Sequence, residues 1–445
     1  MKFRSIDELL KYTDNIKGKT FYEIDSENLL KNNKNLKHRK GVLGQVVETG
    51  FYKYPINNDP HADFDEIGVE LKVSGYKISK TGKVSAKERI SLSKIDYNSI
   101  VNEEFNYSKL ISKNSKILII WYLYEKGKDI GDFKITDYQL YEMKKDKEVF
   151  KNDFNIIKNK VLEGKAHELS EGDTSYLGAC TKAAKSTDRT SQPFSDIPAK
   201  PRAYSLKNSY LTGILRNFKS SHNATNSNNF LSIEEYIYSK MKPFIGKNQI
   251  KILEELTGKT YENKVPKNIN KMITDKMIGK DSELPNKSDL FTKTSFIIKN
   301  IPIKPNGKPK ERMAFRTISL SEFDDDWEDS DWKAYFEETT LLTILWQEPN
   351  NNSKNGERIL KGIKKISFND YDLSSFEKTY KKLKETIQKK DISLLPTPNS
   401  FENQYLEVAP KGVKGDDAYN NFFKKDKTKV GLMLNKSFLY EKLKN

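Results

Sequence analysis

The chain repeats itself, and this repeat restricts the fold to two tandem copies of one domain. Short segments of the first half recur in the second half in the same order, at offsets of 225 to 229 residues. Residues 72–93 correspond to residues 299–321, and each segment reads as a β-hairpin with a Gly-Lys turn at Gly82 or Gly307. The chain has 445 residues, which is enough for two or three domains of roughly 100–200 residues each, and a duplication would give two copies of about 220 residues.

A buried-type strand and an amphipathic helix follow the hairpin in both copies. Residues 117–121 match residues 342–346, and each segment ends in tryptophan. The two helices share an apolar stripe with the spacing i, i+4, i+7 and i+11, displaced by 226 at every position: Phe150, Phe154, Ile157 and Val161, then Phe376, Tyr380, Leu383 and Ile387. Ser374 and Glu377 are predicted to form a capping box at the start of the second helix.

Two later pairs of segments extend the repeat toward the C-terminus: residues 176–182 with 405–411, and residues 205–211 with 433–439. Between the copies, residues 219–233 begin with the polar run KSSHNATNSNN, which lacks apolar periodicity and predicts a linker. The sequence therefore predicts one domain over residues 1–218 and a second domain over residues 234–445.

The charge balance favours a polyanionic partner. The formal net charge is +16 and the isoelectric point is about 9.3, which suits phosphate neutralisation on a nucleic acid. A lysine-rich composition that only keeps the protein soluble is the alternative. The single cysteine, Cys180, excludes an internal disulfide framework, and the four histidines show no zinc-ligand spacing. No long apolar run or signal segment is present, so we expect a soluble, cytoplasmic protein without a membrane partner.

Two acids and a lysine near residue 70 carry the clearest chemical signal. Asp63 precedes a strand-like Val-Glu-Leu-Lys-Val segment that contains Glu70 and Lys72. In a strand, Glu70 and Lys72 project from the same face roughly 6–7 Å apart, while Val69, Leu71 and Val73 anchor the other face. This pattern is typical of metal-dependent phosphodiester hydrolysis. A structural ion-pair cluster on a sheet face is the alternative, because such spacings are common in a chain with 31% charged residues.

The two copies differ at these positions. Ile297 stands opposite Glu70 in the second copy, and Glu338 stands opposite Lys113, a lysine just before the 117–121 strand. Asp289 corresponds loosely to Asp63, but one acid alone makes a poor magnesium site. We therefore expect chemistry in the first half and none in the second.

At this point the residues resemble a known nuclease family. Residues 43–48 (LGQVVE), 63–72 (DFDEIGVELK) and 176–184 (YLGACTKAA) are similar to the signature of the MutH nucleases. The two-domain, GATC-cutting type II restriction endonucleases of this family have a similar length and a second half without the catalytic motif. The resemblance implies the PD-(D/E)xK nuclease fold. In this α/β fold a mixed sheet is flanked by helices, and here it would occur as two tandem restriction-endonuclease-like domains.

The resemblance also implies an active site and a cofactor. By position, Asp63, Glu70 and Lys72 match the catalytic triad, and Asp63 and Glu70 would hold Mg²⁺. Glu48 matches an additional acid on the preceding helix. Lys113 matches a further active-site lysine, with Lys116 as the alternative. Cys180 as a nucleophile is a poor alternative, because no histidine partner is evident.

The same resemblance predicts DNA-reading residues. Lys182 matches a lysine in the loop that reads the recognition sequence, and the alternative for it is a plain phosphate contact. Thr181 departs from the family, because Cys-Thr stands where MutH has Arg-Pro. The segment that includes Tyr204 and Lys207 is expected to contribute to reading, and Lys411 is the counterpart of Lys182 in the second half.

The predicted function is a magnesium-dependent type II restriction endonuclease that cuts both strands of double-stranded DNA at GATC. The second domain is expected to bind a second DNA copy, or to act as a pseudo-dimer partner on the same duplex. The free protein is expected to be a monomer that can dimerise on DNA. The alternatives are a strand-nicking repair endonuclease and a catalytically silent DNA-binding protein.

Overall fold

The structure is a computed structural model of the whole chain, and it describes residues 2–32, 39–54, 61–79, 82–183, 185, 187–220, 233–261, 265–278, 293–414 and 428–444. For residues 39–40, 220, 411–414 and 428–429 it describes the backbone alone. The chain divides into two compact units. The first contains residues 1–226 with 292–294, and the second contains residues 227–291 with 295–445. Most of the linker predicted over residues 219–233 lies outside the described residues.

Eight α-helices are described in the first unit: α1 (Ile6–Thr13), α2 (Phe21–Ile24), α3 (Leu29–Asn32), α4 (Arg39–Gln45), α5 (Tyr97–Ile100), α6 (Lys109–Asn114), α7 (Lys147–Leu162) and α8 (Asn208–Ser220). A π-helical segment, Val46–Phe51, continues α4. The stripe predicted on α7 is buried along its whole length, because its four apolar residues follow the 3.6-residue period of a helix.

A four-stranded mixed sheet forms the centre of the first unit. Its strands are β1 (Glu70–Ile78), β2 (Val84–Ala86), β4 (Lys116–Leu123) and β5 (Lys134–Glu142), in the order β2-β1-β4-β5. β1 and β4 are parallel, and the other two pairs are antiparallel. The pairing of β1 with β2 contains the predicted hairpin.

A second, antiparallel sheet lies in the same unit. It contains β3 (Ile90–Lys94), β9 (Arg202–Leu206) and β6 (Leu177–Thr181), in the order β3-β9-β6. A separate hairpin is formed by β7 (Thr190–Gln192) and β8 (Ser195–Ala199).

The two faces of the central sheet are buried in different cores. Leu118 and Ile120 of β4 pack in the core that contains the residues of α1 and α4. Ile119 and Trp121 pack in the core that contains α7 and the second sheet. This alternation is the period of two that a strand imposes on its side chains.

The second unit has the same arrangement. Its strands are β10 (Phe296–Ile303), β11 (Met313–Thr317), β12 (Thr340–Gln347), β13 (Ile359–Ile366), β14 (Leu406–Lys414) and β15 (Thr428–Leu434). The helices described in this unit are α9 (Ile233–Met241), α10 (Gln249–Thr257), α11 (Ile269–Met277), α12 (Asp331–Glu338), α13 (Asp370–Lys389) and α14 (Lys436–Lys444). The sheets β10-β12-β13 and β11-β15-β14 repeat the order of β1-β4-β5 and β3-β9-β6, and β10 is parallel to β12 as β1 is to β4.

Three details of the predicted repeat are wrong. Trp121 and Trp346 are not equivalent, because Trp346 packs with the residues of α9–α11, on the opposite face of its sheet. The second helix starts earlier than predicted, with the capping box formed by Asn369 and Asp372 rather than by Ser374 and Glu377. Residues 319–321 do not repeat β3. They enter a 3₁₀ turn, and β11 takes the place of β3.

The predicted fold class is confirmed as a mixed α/β fold with several sheets flanked by helices. Within the described part of the chain, the structure contains no helix that is both long and apolar enough to span a membrane.

Candidate active site

A tight turn brings Asp63 to the start of β1. Phe64 and Val69 exchange backbone hydrogen bonds across a 3₁₀ turn, and Gly68 closes the turn with φ +62°. This left-handed conformation costs glycine little, whereas most other residues are strained in it. The Asp63 carboxylate accepts a hydrogen bond from the backbone N–H of Leu71 at 2.9 Å, which fixes it beside the strand.

Glu70 is the buried centre of the group. Its side chain is 2% exposed, and Oε1 accepts a hydrogen bond from Lys72 Nζ at 2.6 Å. Its other oxygen accepts a hydrogen bond from the backbone N–H of Asp63 at 3.2 Å. Val69 and Leu71 are buried in the core on the opposite face of β1. The alternation of the strand therefore places an acid and a lysine together on the other face of β1.

Two further residues come from other elements. Lys113, near the end of α6, places Nζ 3.9 Å from Glu70 Oε2. Glu48 lies in the π-helical segment after α4, between the buried residues Val47 and Gly50. Such wide turns are often found at functional sites. The charges of Asp63, Glu70, Lys72 and Lys113 all act on Glu48, so the five residues form one cluster.

The electrostatics of the cluster show an excess of acid. Burial, together with the charge of Asp63, raises the pKa of Glu48 to about 7, although Lys72 opposes this shift. Burial also raises the pKa of Glu70, with Lys72 again acting in the opposite direction. Three carboxyl groups therefore share two lysine ammonium groups, and an additional cation would stabilise their ionised forms.

The cluster fits a magnesium ion in part. Within the described residues, no three His, Cys, Asp or Glu side chains are grouped so that they could hold a metal ion on their own. Mg²⁺ is often held by one or two carboxylates, with waters and substrate phosphates completing its shell. Asp63 and Glu70 are such a pair of hard oxygen donors, joined through backbone hydrogen bonds.

The second unit has a different set of residues at the equivalent place. Glu70 pairs with Ile117 in the parallel ladder, and Ile297 pairs with Leu341 in the corresponding ladder. Lys299 then corresponds to Lys72, and its Nζ donates to the carbonyl oxygen of Ala314 at 2.8 Å.

The strand register also changes the counterpart of Lys113. It is Glu337 rather than Glu338, and Glu337 pairs with Lys333 at 2.6 Å. Glu337 and Glu338 are both acidic, so with either residue a negative charge in the second unit stands where Lys113 carries a positive charge in the first. Asp289 lies outside the described residues.

The predicted DNA-reading residues separate into two groups. Thr181 is half-buried at the end of β6, and Lys182 is exposed directly after it. Tyr204 and Lys207 are 4% and 2% exposed. Tyr204 stacks on Phe154, and Lys207 donates to the carbonyl oxygen of Thr174, so neither side chain is available for a DNA contact in this structure. The reason is that β9 pairs on both edges, which encloses Tyr204 in the core. The Lys411 side chain lies outside the described residues, although its backbone belongs to β14.

Comparison with known proteins gives two kinds of similarity. The family model described as DNA mismatch repair enzyme MutH matches residues 52–153. The type II restriction enzyme Sau3AI of Staphylococcus aureus is 35% identical in an alignment of 386 residues that covers 80% of this chain and 77% of that protein. The DNA mismatch repair protein MutH of Vibrio campbellii (strain ATCC BAA-1116) is 24% identical over 212 residues, covering 47% of this chain and 92% of MutH. MutH of Vibrio vulnificus (strain YJ016) is 25% identical over 214 residues, with the same coverage.

Proposed function

Because the chain belongs to the family of MutH-like type II restriction endonucleases, we propose that it cuts both strands of DNA at GATC in a magnesium-dependent reaction. The observation that supports this most strongly is the cluster of Asp63, Glu70 and Lys72 at the start of β1, with Glu70 buried and hydrogen-bonded to Lys72. Phosphodiester hydrolysis requires an activated water and neutralisation of charge on the phosphate, and acids beside a lysine meet both requirements.

Asp63 and Glu70 are the residues that would hold Mg²⁺. A divalent cation there supplies charge neutralisation on the phosphate and lowers the pKa of a bound water. The contribution of the chain is to keep both carboxylates together at the start of β1, and the backbone N–H groups of Asp63 and Leu71 orient them.

The lysines and Glu48 have supporting roles in this proposal. Lys72 Nζ, held by Glu70, orients the attacking water and offsets charge on the phosphate. Lys113 adds a second positive charge on the other side of Glu70. The charges of both lysines act on Glu48, and in this proposal its carboxylate balances part of their positive charge.

Exchange of Lys72 for alanine tests the role of the lysine. We expect the single-turnover cleavage rate to fall by about 10²- to 10³-fold, because a positive charge beside the reacting phosphate is lost. Lys299→Ala is the matched control at the equivalent position of the second unit, and it should cut at the rate of the unchanged protein. Equal losses in both variants would contradict the assignment of the active site to the first unit.

DNA reading is proposed for the end of β6. Lys182 is exposed there, and its ammonium group can donate to guanine N7 and O6 in the major groove. Thr181 precedes it and can donate or accept through its hydroxyl group. Lys411 is the corresponding lysine of the second unit.

For the second unit we propose a DNA-binding role that regulates cutting, because Ile297 replaces the acid there while the fold is kept. Titration with an uncleavable GATC duplex tests this role. Occupancy of a second site should change the cleavage rate of a labelled duplex, with affinity coupled between the two sites. A rate that falls only as simple competition predicts would contradict regulation through the second unit.

Digestion of a plasmid that carries one GATC site tests the proposed reaction. With magnesium we expect linear DNA whose two mapped ends lie at GATC, and with EDTA we expect no cutting. Nicked circles as the final product would instead support a strand-nicking enzyme. Ends at another sequence would contradict the proposed recognition site.

A further inference from the structure

Each unit carries an arginine directly before the edge strand of its three-stranded sheet. Arg89 precedes β3 and Arg312 precedes β11. The strand registers make them equivalent, because Ile90 pairs with Leu206 of β9 and Met313 pairs with Leu434 of β15.

The segments around the two arginines match in sequence as well. Both read Lys-Glu-Arg, with the lysines at Lys87 and Lys310. The backbone N–H of Lys87 donates to the carbonyl oxygen of Gly75, and that of Lys310 donates to the carbonyl oxygen of Pro302. The same backbone contact therefore fixes the approach to both arginines.

Both arginines pair with a buried glutamate. Arg89 Nε lies 3.3 Å from Glu171 Oε1, and Arg312 Nη1 lies 2.6 Å from Glu407 Oε1. The glutamate side chains are 3% and 4% exposed, whereas the arginine side chains are 25% and 39% exposed. In each pair the carboxylate is therefore enclosed by the protein, and part of the arginine side chain reaches the solvent.

The two glutamates come from different positions in the fold. Glu171 lies in the 3₁₀ turn before β6, whereas Glu407 lies within β14. The registers place Glu407 at the position of Gly178 in β6. A Cβ at Gly178 would lie 2.6 Å from Ser205 Oγ and 3.3 Å from Glu171 Cδ, so the glycine leaves the space that Glu171 occupies.

The arginine–glutamate pair is thus present in both units, although the glutamate comes from a different segment in each. The acid Glu70, in contrast, has Ile297 as its counterpart in the second unit. A feature that both units keep independently of the catalytic acids fits an activity that both units share. Each pair has a structural role, because a buried carboxylate needs a positive partner, but a lysine fills that role at Asp372. The guanidinium fork, in contrast, matches the geometry of a phosphate group.

We propose that Arg89 and Arg312 are equivalent DNA-phosphate contacts, each oriented by a buried glutamate, and that the two units bind DNA with the same face of the fold. This inference rests on the proposed function in that it takes DNA as the partner. Because phosphates carry no base identity, the contacts add affinity without sequence preference. They hold the duplex against the sheet whose strand β6 leads to Lys182.

The test uses fluorescence anisotropy with the full chain, without divalent metal, on a GATC duplex and on a scrambled duplex. Arg89→Ala and Arg312→Ala should each weaken binding of both duplexes several-fold. Each single variant should reduce the magnitude of the slope of log K (the DNA association constant) against log salt concentration by about one. The double variant should reduce it by about two when the slopes of all binding steps are added. Arg89→Lys should restore the slope, because it keeps the charge. Glu171→Gln should weaken binding at an unchanged slope, because the arginine remains but is no longer held by a charge.

Lys128→Ala is the control, since it removes an exposed cation that pairs with Glu125, and it should leave both quantities unchanged. Unchanged affinity and salt slope in the arginine variants, with a lower melting temperature, would overturn the proposal and leave only structural ion pairs. The plasmid digestion is a separate readout. If the unchanged protein binds DNA with the predicted slopes but does not cut, the proposed function fails while this inference stands.

Discussion

Replacement of Glu70 by glutamine should reduce the single-turnover rate of DNA cleavage by at least about 10³-fold. The amide keeps the shape of the side chain but removes the negative charge that would hold a divalent cation. It also removes the carboxylate that pairs with the Lys72 ammonium group. A loss of about 4 kcal/mol in transition-state stabilisation corresponds to this factor. The rate is measured with enzyme in excess over a labelled GATC duplex, so that product release does not limit it.

Two controls accompany the Glu70 variant. Its affinity for the duplex without metal should stay within about threefold, because phosphate contacts by lysine and arginine side chains generally supply most of the affinity of a protein for DNA. Asp65→Asn makes the same change of charge at an exposed acid in the turn after Asp63, and it should cut normally. Rapid cutting by the Glu70 variant would refute the assigned site.

Replacement of Asp153 by alanine should cost the first unit about 3–5 kcal/mol in the free energy of unfolding. Asp153 is fully buried in α7, and its carboxylate accepts hydrogen bonds from the backbone N–H groups of Ser175, Tyr176 and Leu177 at 2.7–2.9 Å. Its removal leaves three buried donors without a partner, each costing about 1–3 kcal/mol. The damage would fall at the start of β6, the strand that leads to Lys182.

Thr379 provides the matched control for this prediction. It occupies the position of Asp153 in the apolar stripe of α13, and its hydroxyl group donates a single hydrogen bond to the carbonyl oxygen of Leu406. Thr379→Val should therefore cost only about 1 kcal/mol. A chain of two units need not unfold in one step, so the stability of each unit is measured separately. Hydrogen exchange of peptides from each unit, recorded at increasing denaturant concentration, gives the loss caused by each substitution. Equal losses would contradict the role given to the three hydrogen bonds.

Most of the fold could be predicted from the spacing of apolar residues along the sequence. The errors in the predicted strand alignment have a physical origin. The stripes of α7 and α13 were predicted because 3.6-residue spacing survives substitution of one apolar residue by another. The strand with Trp121 was aligned one residue out of register with the strand that contains Trp346. A slip of one residue in a strand moves a side chain to the other face, and continuous apolar runs give no signal of which face is which.

The candidate site was accessible where its residues are close in sequence. Asp63, Glu70 and Lys72 lie within one turn and strand, so spacing alone places them together. Tyr204 and Lys207 were expected to contribute to DNA reading, because local sequence does not show that β9 is paired on both edges and that both side chains are buried.

The pairs of arginine with glutamate were missed for a similar reason, since Glu171 and Glu407 reach their partners from remote segments. The Lys-Glu-Arg triplets that end at Arg89 and Arg312 were the available signal. The alignment of the two halves by sequence matched the Ser-Leu-Ser triplets at residues 91–93 and 319–321, so the Lys-Glu-Arg triplets were not placed opposite each other.

The central claim is that one metal-holding site lies in the first unit and that the second unit is a copy without it. Iron-directed cleavage of the protein backbone tests this directly. Fe²⁺ replaces magnesium in the complex with a GATC duplex, ascorbate and peroxide are added, and the fragment ends are mapped. We predict cuts near Asp63 and Glu70 that excess Mg²⁺ suppresses, and none near Ile297. Cuts near Ile297, or no Mg²⁺-sensitive cut in the first unit, would contradict the account.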